Sequence, residues 1–237
     1  MTTAEDTSPI NAETPRAQHH PIRFGSSGQR QRWKDCICEE LTRRFPDRPL
    51  AGLQVLEVGT GPGFFAILLR ELGCAVTAID LTRAMLAEAK ENAGSLADEI
   101  CFMEMNAEAL SFADERFDAV ISRNLTWNLP HPDRAYAEWT RVLKKGGVLL
   151  NFDANWYAYL FDEDAHAAWD RDRRSSAERG VWDQNVEAEG ERFDVMEEIA
   201  RRVPLSKIVR PVWDLQQLAS LGLKAGADET VWKRVWS

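Results

Sequence analysis

The chain has 237 residues, 44% of them apolar, with a formal net charge of −9 and a pI near 5.1. That balance argues against a broad nucleic-acid footprint, which needs a basic face, and the apolar runs are far too short to cross a bilayer. The opening stretch lacks the apolar segment of a secretory signal, and residues 1–22 read as a polar, Pro-containing disordered tail.

A cytoplasmic protein is expected, with scattered cysteines (Cys36, Cys38, Cys74, Cys101) as buried reduced thiols rather than a zinc or disulfide set. Residues 26–45 have serines at their start and apolar positions at Trp33, Ile37 and Leu41, which predicts a helix laid against a sheet. After a turn at Pro46–Gly52, strand and helix alternate. Strands are predicted at Leu53–Val58, Ala75–Ile79, Glu99–Met103, Phe117–Ser122 and, starting from Gly146 and Gly147, VLLNFDA. Helices fall at Phe64–Leu72, from a Thr82 cap to about Asn92, and at Pro132–Leu143 with Tyr136, Trp139 and Leu143 inward. Such alternation is the signature of an open parallel sheet covered on both faces, an α/β doubly wound architecture. Residues 23–237 are expected to form one domain. Within it, residues 156–203, polar and rich in acids but interrupted by Trp156, Tyr157, Tyr159, Trp169 and Trp182, read as a helical insertion after the fifth strand. A helix at Trp213–Leu221 leads to Leu223–Trp236, read as a last strand.

The turn between the first strand and its helix carries chemistry. It reads VLEVGTGPG, with Gly59, Thr60, Gly61 and Gly63 in a GxGxG spacing and Glu57 two residues ahead. Glycines there bare the backbone at a helix N-terminus so that a ligand can lie against it. A dinucleotide site would be GxGxxG, but residue 64 is Phe, and Glu57 would repel a pyrophosphate while suiting a cationic amine. Asp80, closing the second strand, can accept both hydroxyls of a ribose. Leu81 and Met85 offer apolar surface for an adenine ring, and in Asn106-Ala107-Glu108 an amide could read the adenine edge.

These residues, with VTAIDLTRAML, MNAEALSFADERFDAVISR and AEWTRVLKKGGVLLNFD, resemble the class I S-adenosylmethionine-dependent methyltransferases over about Leu53–Ala154, most of all those acting on small metabolites. The resemblance implies S-adenosylmethionine as cofactor. It places Glu57 near the methionine amino group and Gly59, Gly61 and Gly63 beneath the amino-acid moiety. Asp80 would hold the ribose, Leu81 and Met85 the adenine, and Asn106 would stand where relatives often have Asp. Arg123 and Asn124 would border the methionine end. Relatives end in an antiparallel hairpin, of which this chain offers one run. The last strand is therefore expected to be absent, supplied by a partner or formed elsewhere, and an interface through the C-terminal segment of a homodimer is expected.

Ligands in open sheets bind at the carboxyl ends of the strands. The methyl acceptor, a small molecule, is therefore expected near Thr126, Trp127, Asn128, Asp153, Asn155, Trp156 and Tyr157, under the insertion as a lid. Asp153 is the favoured general base, ahead of His131 and His166, and no metal set is present in the sequence pattern. Two other readings stand beside the methyltransferase: a non-catalytic cofactor-binding scaffold, and an NAD(P)-dependent oxidoreductase, disfavoured by the glycine spacing and Glu57.

Overall fold

The computed structural model describes residues 27–178 and 191–236. The expected tail at residues 1–22, Ser26 and Trp182 lie outside them. Helix α1 (Ser27–Arg44) precedes strand β1 (Gln54–Val58), helix α2 (Phe64–Glu71), strand β2 (Ala75–Asp80) and helix α3 (Arg83–Ala93). Strands β3 (Ile100–Glu104) and β4 (Phe117–Arg123), helix α4 (Pro132–Val142) and strand β5 (Leu143–Phe152) complete the sheet. All pairings are parallel, and the order is β3-β2-β1-β4-β5.

The strand sequences explain this arrangement. β1, β2 and β4 are nearly continuous apolar runs, as parallel strands buried on both faces require. One core joins α1, α2 and the end of α3 to Val55, Val76, Ala119 and Ile121. The other lies under α4, where Tyr136, Trp139 and Val142 pack on Leu56, Val58, Ile79 and Val120. Helix α4 starts cleanly because Pro132 stands in its first turn, where a missing N–H costs nothing. Thr82 stands at the N-cap of α3 but makes no side-chain bond there. Asp80 Oδ1 accepts the Thr82 N–H at 2.9 Å instead.

After β5 the chain turns through Ala158–Leu160 into helices α5 (Glu163–Glu178) and α6 (Glu191–Arg202), then helix α7 (Val212–Ser220). Tyr159 stacks on Trp169 at 4.5 Å and donates its hydroxyl to Glu197 at 3.0 Å, tying the turn to both helices. Helix α7 packs beside α4, with Trp213 stacked on Tyr136 at 5.9 Å.

The expected last strand is a helix, α8 (Val231–Trp236). Asp228 Oδ1 accepts the Thr230 N–H at 2.8 Å and its hydroxyl at 2.6 Å, closing the turn before the helix. Val231 and Val235, four apart, then share the face that packs on α1, and Val235 is buried. Trp232 is left 60% exposed. The cysteines are free, but only Cys36 and Cys74 are buried, and Cys101 is exposed.

Candidate functional site

In an open parallel sheet the binding crevice lies where the strand order reverses. Here β1 continues to β2 on one side and β4 on the other, so the crevice opens above the carboxyl ends of β1 and β4. The β1–α2 turn forms one wall and the segment after β4 the other.

The turn is stitched to β2: the Gly59 and Thr60 N–H groups both donate to the Ile79 carbonyl at 2.9 Å. Gly61 has φ +51, and a Cβ built there would meet nothing within 4 Å, so this stretch of backbone faces open space. Its N–H donates to Asp80 Oδ2 at 2.9 Å. Each carboxylate oxygen retains a second lone pair for a ligand hydroxyl. Gly63 has φ +90 and touches helix α3, its hypothetical Cβ lying 3.2 Å from Ala89 Cα. Gly59 is covered by the Leu125 side chain, a contact that local spacing does not announce.

Glu57 is buried beneath the turn, and its Oε2 accepts the Thr60 hydroxyl at 2.6 Å. Burial pushes its carboxyl up to about 8, against the opposing pull of Thr60, Arg123 and the Ala66 N–H. Arg123, at the end of β4, lies over the rings of Phe64, Phe65 and Trp33 at 4.7, 5.2 and 5.6 Å. Burial lowers its pKa, and the Glu57 charge partly restores it. Leu81 is 53% exposed beside the turn, and Met85 is half-buried on α3. Asn106 is exposed, its Oδ1 accepting the Glu108 N–H at 2.9 Å. Ala107 is buried and accepts from Trp139 Nε1 at 3.0 Å. Glu108 holds the His131 N–H at 2.7 Å. Asn124 has φ +53 and accepts from Trp127 Nε1 at 3.1 Å.

On the acceptor side, Trp127 is buried and packs on Tyr157 with ring centroids 4.8 Å apart. Asn128 lies in the same short turn, Asn155 is exposed, and Trp156 is 46% exposed with its Nε1 3.0 Å from Asp153 Oδ1. The short Pro204–Lys207 turn that follows α6 packs on Thr126–Asn128, which brings the insertion onto this end of the sheet.

Asp153 does not look like a base waiting for a proton. Its side chain is 1% exposed and accepts from Thr126 Oγ1, the Trp127 and Ala154 N–H groups and Trp156 Nε1, while Arg210 Nη1 lies 3.1 Å away as an ion pair. Its lone pairs are committed to holding the post-β4 turn. His131 precedes α4 without a side-chain cap bond, and His166 lies on α5 against the Tyr159 carbonyl and Asp170. Among the described residues neither imidazole is hydrogen-bonded to Glu57, Asp80 or the glycine turn.

The polar centre of this face was not foreseen. Arg210 binds Asp214 through Nε at 2.8 Å and Nη2 at 2.6 Å, and Thr126 Oγ1 at 2.8 Å. Asn151 reaches Thr126 at 3.0 Å and Tyr136 at 2.9 Å. Burial opposes the Arg210 charge, yet Asp214 and Asp153 outweigh it and hold its pKa above the usual value. The Arg210–Asp214 spacing is visible as an i, i+4 pair, but nothing local links either to Asp153.

A family model described as a methyltransferase domain matches residues 56–151. The ubiquinone/menaquinone biosynthesis C-methyltransferase UbiE of Allorhizobium ampelinum is 37% identical over 130 residues, 53% of this chain and 49% of its own length. The phosphatidylethanolamine N-methyltransferase of Cereibacter sphaeroides is 39% identical over 101 residues, 42% of this chain and 49% of its own length. The chain thus spans about half the length of the curated relatives it matches. A SAM-dependent methyltransferase from Aquifex aeolicus shares the fold, with TM-score 0.55 at 17% identity over 86% of this chain and 87% of that one. The match begins inside β1 and ends inside β5, so the segment that builds the crevice is the one that matches a methyltransferase domain.

Proposed function

We propose that this protein transfers a methyl group from S-adenosylmethionine to a small-molecule acceptor by in-line displacement. The observation that carries the reading is the bare backbone at Gly61, open above the strand-order reversal, with Asp80 on one side and buried Glu57 below. These groups fit the cofactor: Asp80 for ribose hydroxyls, Leu81 and Met85 for adenine, Asn106-Ala107-Glu108 along its edge, Glu57 for an ammonium. The glycine turn, with Thr60 fixing Glu57, and Arg123 and Asn124 would flank the methionine end. When bound, the cofactor supplies a methyl already activated on a sulfonium.

What this chain contributes is position and dryness. Trp127 and Tyr157 wall the acceptor side, Asn128, Asn155 and Trp156 rim it, and helices α5 and α6 act as the lid. With Asp153 held by five partners, the acceptor is one that needs no strong base, such as a carbon or nitrogen nucleophile already unprotonated at neutral pH. The same engagement of Asp153 favours, as the second reading, a scaffold that binds the cofactor without turning it over. We place the protein in the cytoplasm; no helix among the described residues is long and apolar enough to cross a membrane. A homodimer through the exposed Trp232 face is part of the same proposal.

The test is calorimetry with S-adenosylhomocysteine and with NADH, followed by turnover assays on quinol and ethanolamine-lipid acceptors, the chemistries in the names of the two relatives. Binding of the first ligand alone supports the reading, whereas preference for NADH overturns it. Tight binding with no turnover on any acceptor favours the scaffold.

A further inference from the structure

We infer that the methyl acceptor is an amine, alkylated at nitrogen, and that the aromatic side of the crevice with its unbalanced carboxylates receives the ammonium that forms. The inference rests on the proposed function and deepens it, choosing a nitrogen over a carbon nucleophile.

The choice follows from the rings and charges gathered around Asp153. Its Oδ2 accepts the Trp127 N–H at 2.9 Å and its Oδ1 accepts Trp156 Nε1 at 3.0 Å, so one carboxylate sets both tryptophans. Trp127 packs on Tyr157, and Tyr157 on Tyr159 with ring centroids 6.0 Å apart, while the Trp156 ring is left exposed. Aromatic faces attract a cation and offer an anion nothing. The charges agree with the rings. Arg210 brings one positive charge against two carboxylates, Asp153 at 3.1 Å and Asp214 at 2.6 Å, which leaves one negative charge in excess. The other cation of that segment, Lys207, rests over the Phe161 ring at 5.4 Å. Behind the wall Glu197 accepts the Tyr159 hydroxyl and pairs with Arg201, and burial together with the Glu197 charge raises the Tyr157 pKa. Asn151 adds a carbonyl in want of a donor. Its Nδ2 donates to Thr126 and Tyr136, whose own protons go to Asp153 and Asp214, and its buried Oδ1 has no hydrogen-bond partner among the described residues. A carbon nucleophile of the phenolate or enolate kind is anionic and meets like charge here, which costs binding. An amine does not.

Transfer to an amine keeps a single positive charge throughout. The nitrogen lone pair forms the N–C bond, the C–S bond breaks with its electron pair left on sulfur, and the charge passes from sulfonium to nitrogen. A primary or secondary amine then sheds an N–H proton to water. Before transfer the sulfonium repels an ammonium, so the amine binds neutral; afterwards the rings and carboxylates face the charge that has developed.

Calorimetry on the full chain tests this with choline and 3,3-dimethyl-1-butanol, its uncharged carbon isostere. Each is added to protein saturated with S-adenosylhomocysteine or with S-adenosylmethionine. With S-adenosylhomocysteine, choline is expected to bind about tenfold tighter than the alcohol, and with S-adenosylmethionine that preference should vanish. Trp156→Leu, which keeps apolar surface, should erase the preference by weakening choline alone. Equal affinities with S-adenosylhomocysteine, no choline binding, a preference equally large with S-adenosylmethionine, or a variant that leaves the preference intact each overturn the inference. Should Trp156→Leu fail to fold, Glu197→Gln decides: weaker choline with unchanged alcohol supports the inference, and no change in either overturns it. Equal affinities on a chain that still binds S-adenosylhomocysteine sink this inference alone, while a chain that binds neither form of the cofactor sinks the methyltransferase reading and the amine with it.

Discussion

Glu57 carries two demands that conflict. Burial pushes its carboxyl up to about 8, whereas an unfolded glutamate titrates near 4.5. Between those values the folded state holds a proton that the unfolded state has lost, so stability falls as pH rises through that window. The effect is on the order of a few kcal/mol. Thermal melts should therefore find Glu57→Gln close to wild type at pH 5 and more stable at pH 8. Affinity for S-adenosylhomocysteine should behave in the opposite sense. Wild-type affinity rises from pH 6 to 8 as the carboxylate forms for the ammonium, and Glu57→Gln is flat and weak. A wild-type affinity with no slope over that range would remove Glu57 from the proposed site. Glu57 and Asp80 were legible because their meaning is local, set by distance from a glycine turn and a strand end. Arg123 was legible as a neighbour of the site but not as a donor without an acceptor, which depends on the rings gathered from α1, α2 and β5.

Elements are held by contacts that spacing shows only in part. Helix α2 approaches α3 through Gly63, whose φ is +90 and where an added Cβ would lie 3.0 Å from Ala89 Cβ and 3.2 Å from Ala89 Cα, so that a side chain there is strained and pushes α3 aside. Gly63→Ala should cost roughly 2 kcal/mol in strain and displacement. That would lower the melting temperature by about 4–8 °C in a chain of this size. Gly61→Ala, with open space around it, should melt within a few degrees of wild type but lose cofactor affinity. On the acceptor side Arg210 joins the segment after α6 to the ends of β4 and β5. Arg210→Met strands two buried carboxylates, Asp153 and Asp214, and should cost about 3–5 kcal/mol. Urea unfolding measures it; a change under 1 kcal/mol would mean that the carboxylates find other partners. Helix α8 shows how composition misleads at this scale. KAGADETVWKRVWS carries β-branched and aromatic residues, but an Asp–Thr turn and two valines four apart that pack on α1 outweigh that preference.

Among the described residues the molecule is a parallel sheet whose crevice end is met by α6 and the turn that follows it, the part proposed as a lid. Deleting residues 160–200 should abolish turnover while S-adenosylhomocysteine still binds. Retained turnover would refute the lid, and lost binding would show that the cap supports the cofactor crevice itself. The alternation of strand and helix, the crevice and the cofactor's chemical class were determined by the sequence alone, because periodicity, turn glycines and strand-end carboxylates act over a few residues. Tertiary structure alone decided that Asp153 is bound up with Arg210, that Arg123 is left with only rings beneath it, and that the C-terminus docks as a helix. Each of those depends on partners far along the chain, where burial and unmet charge, rather than local preference, choose the outcome.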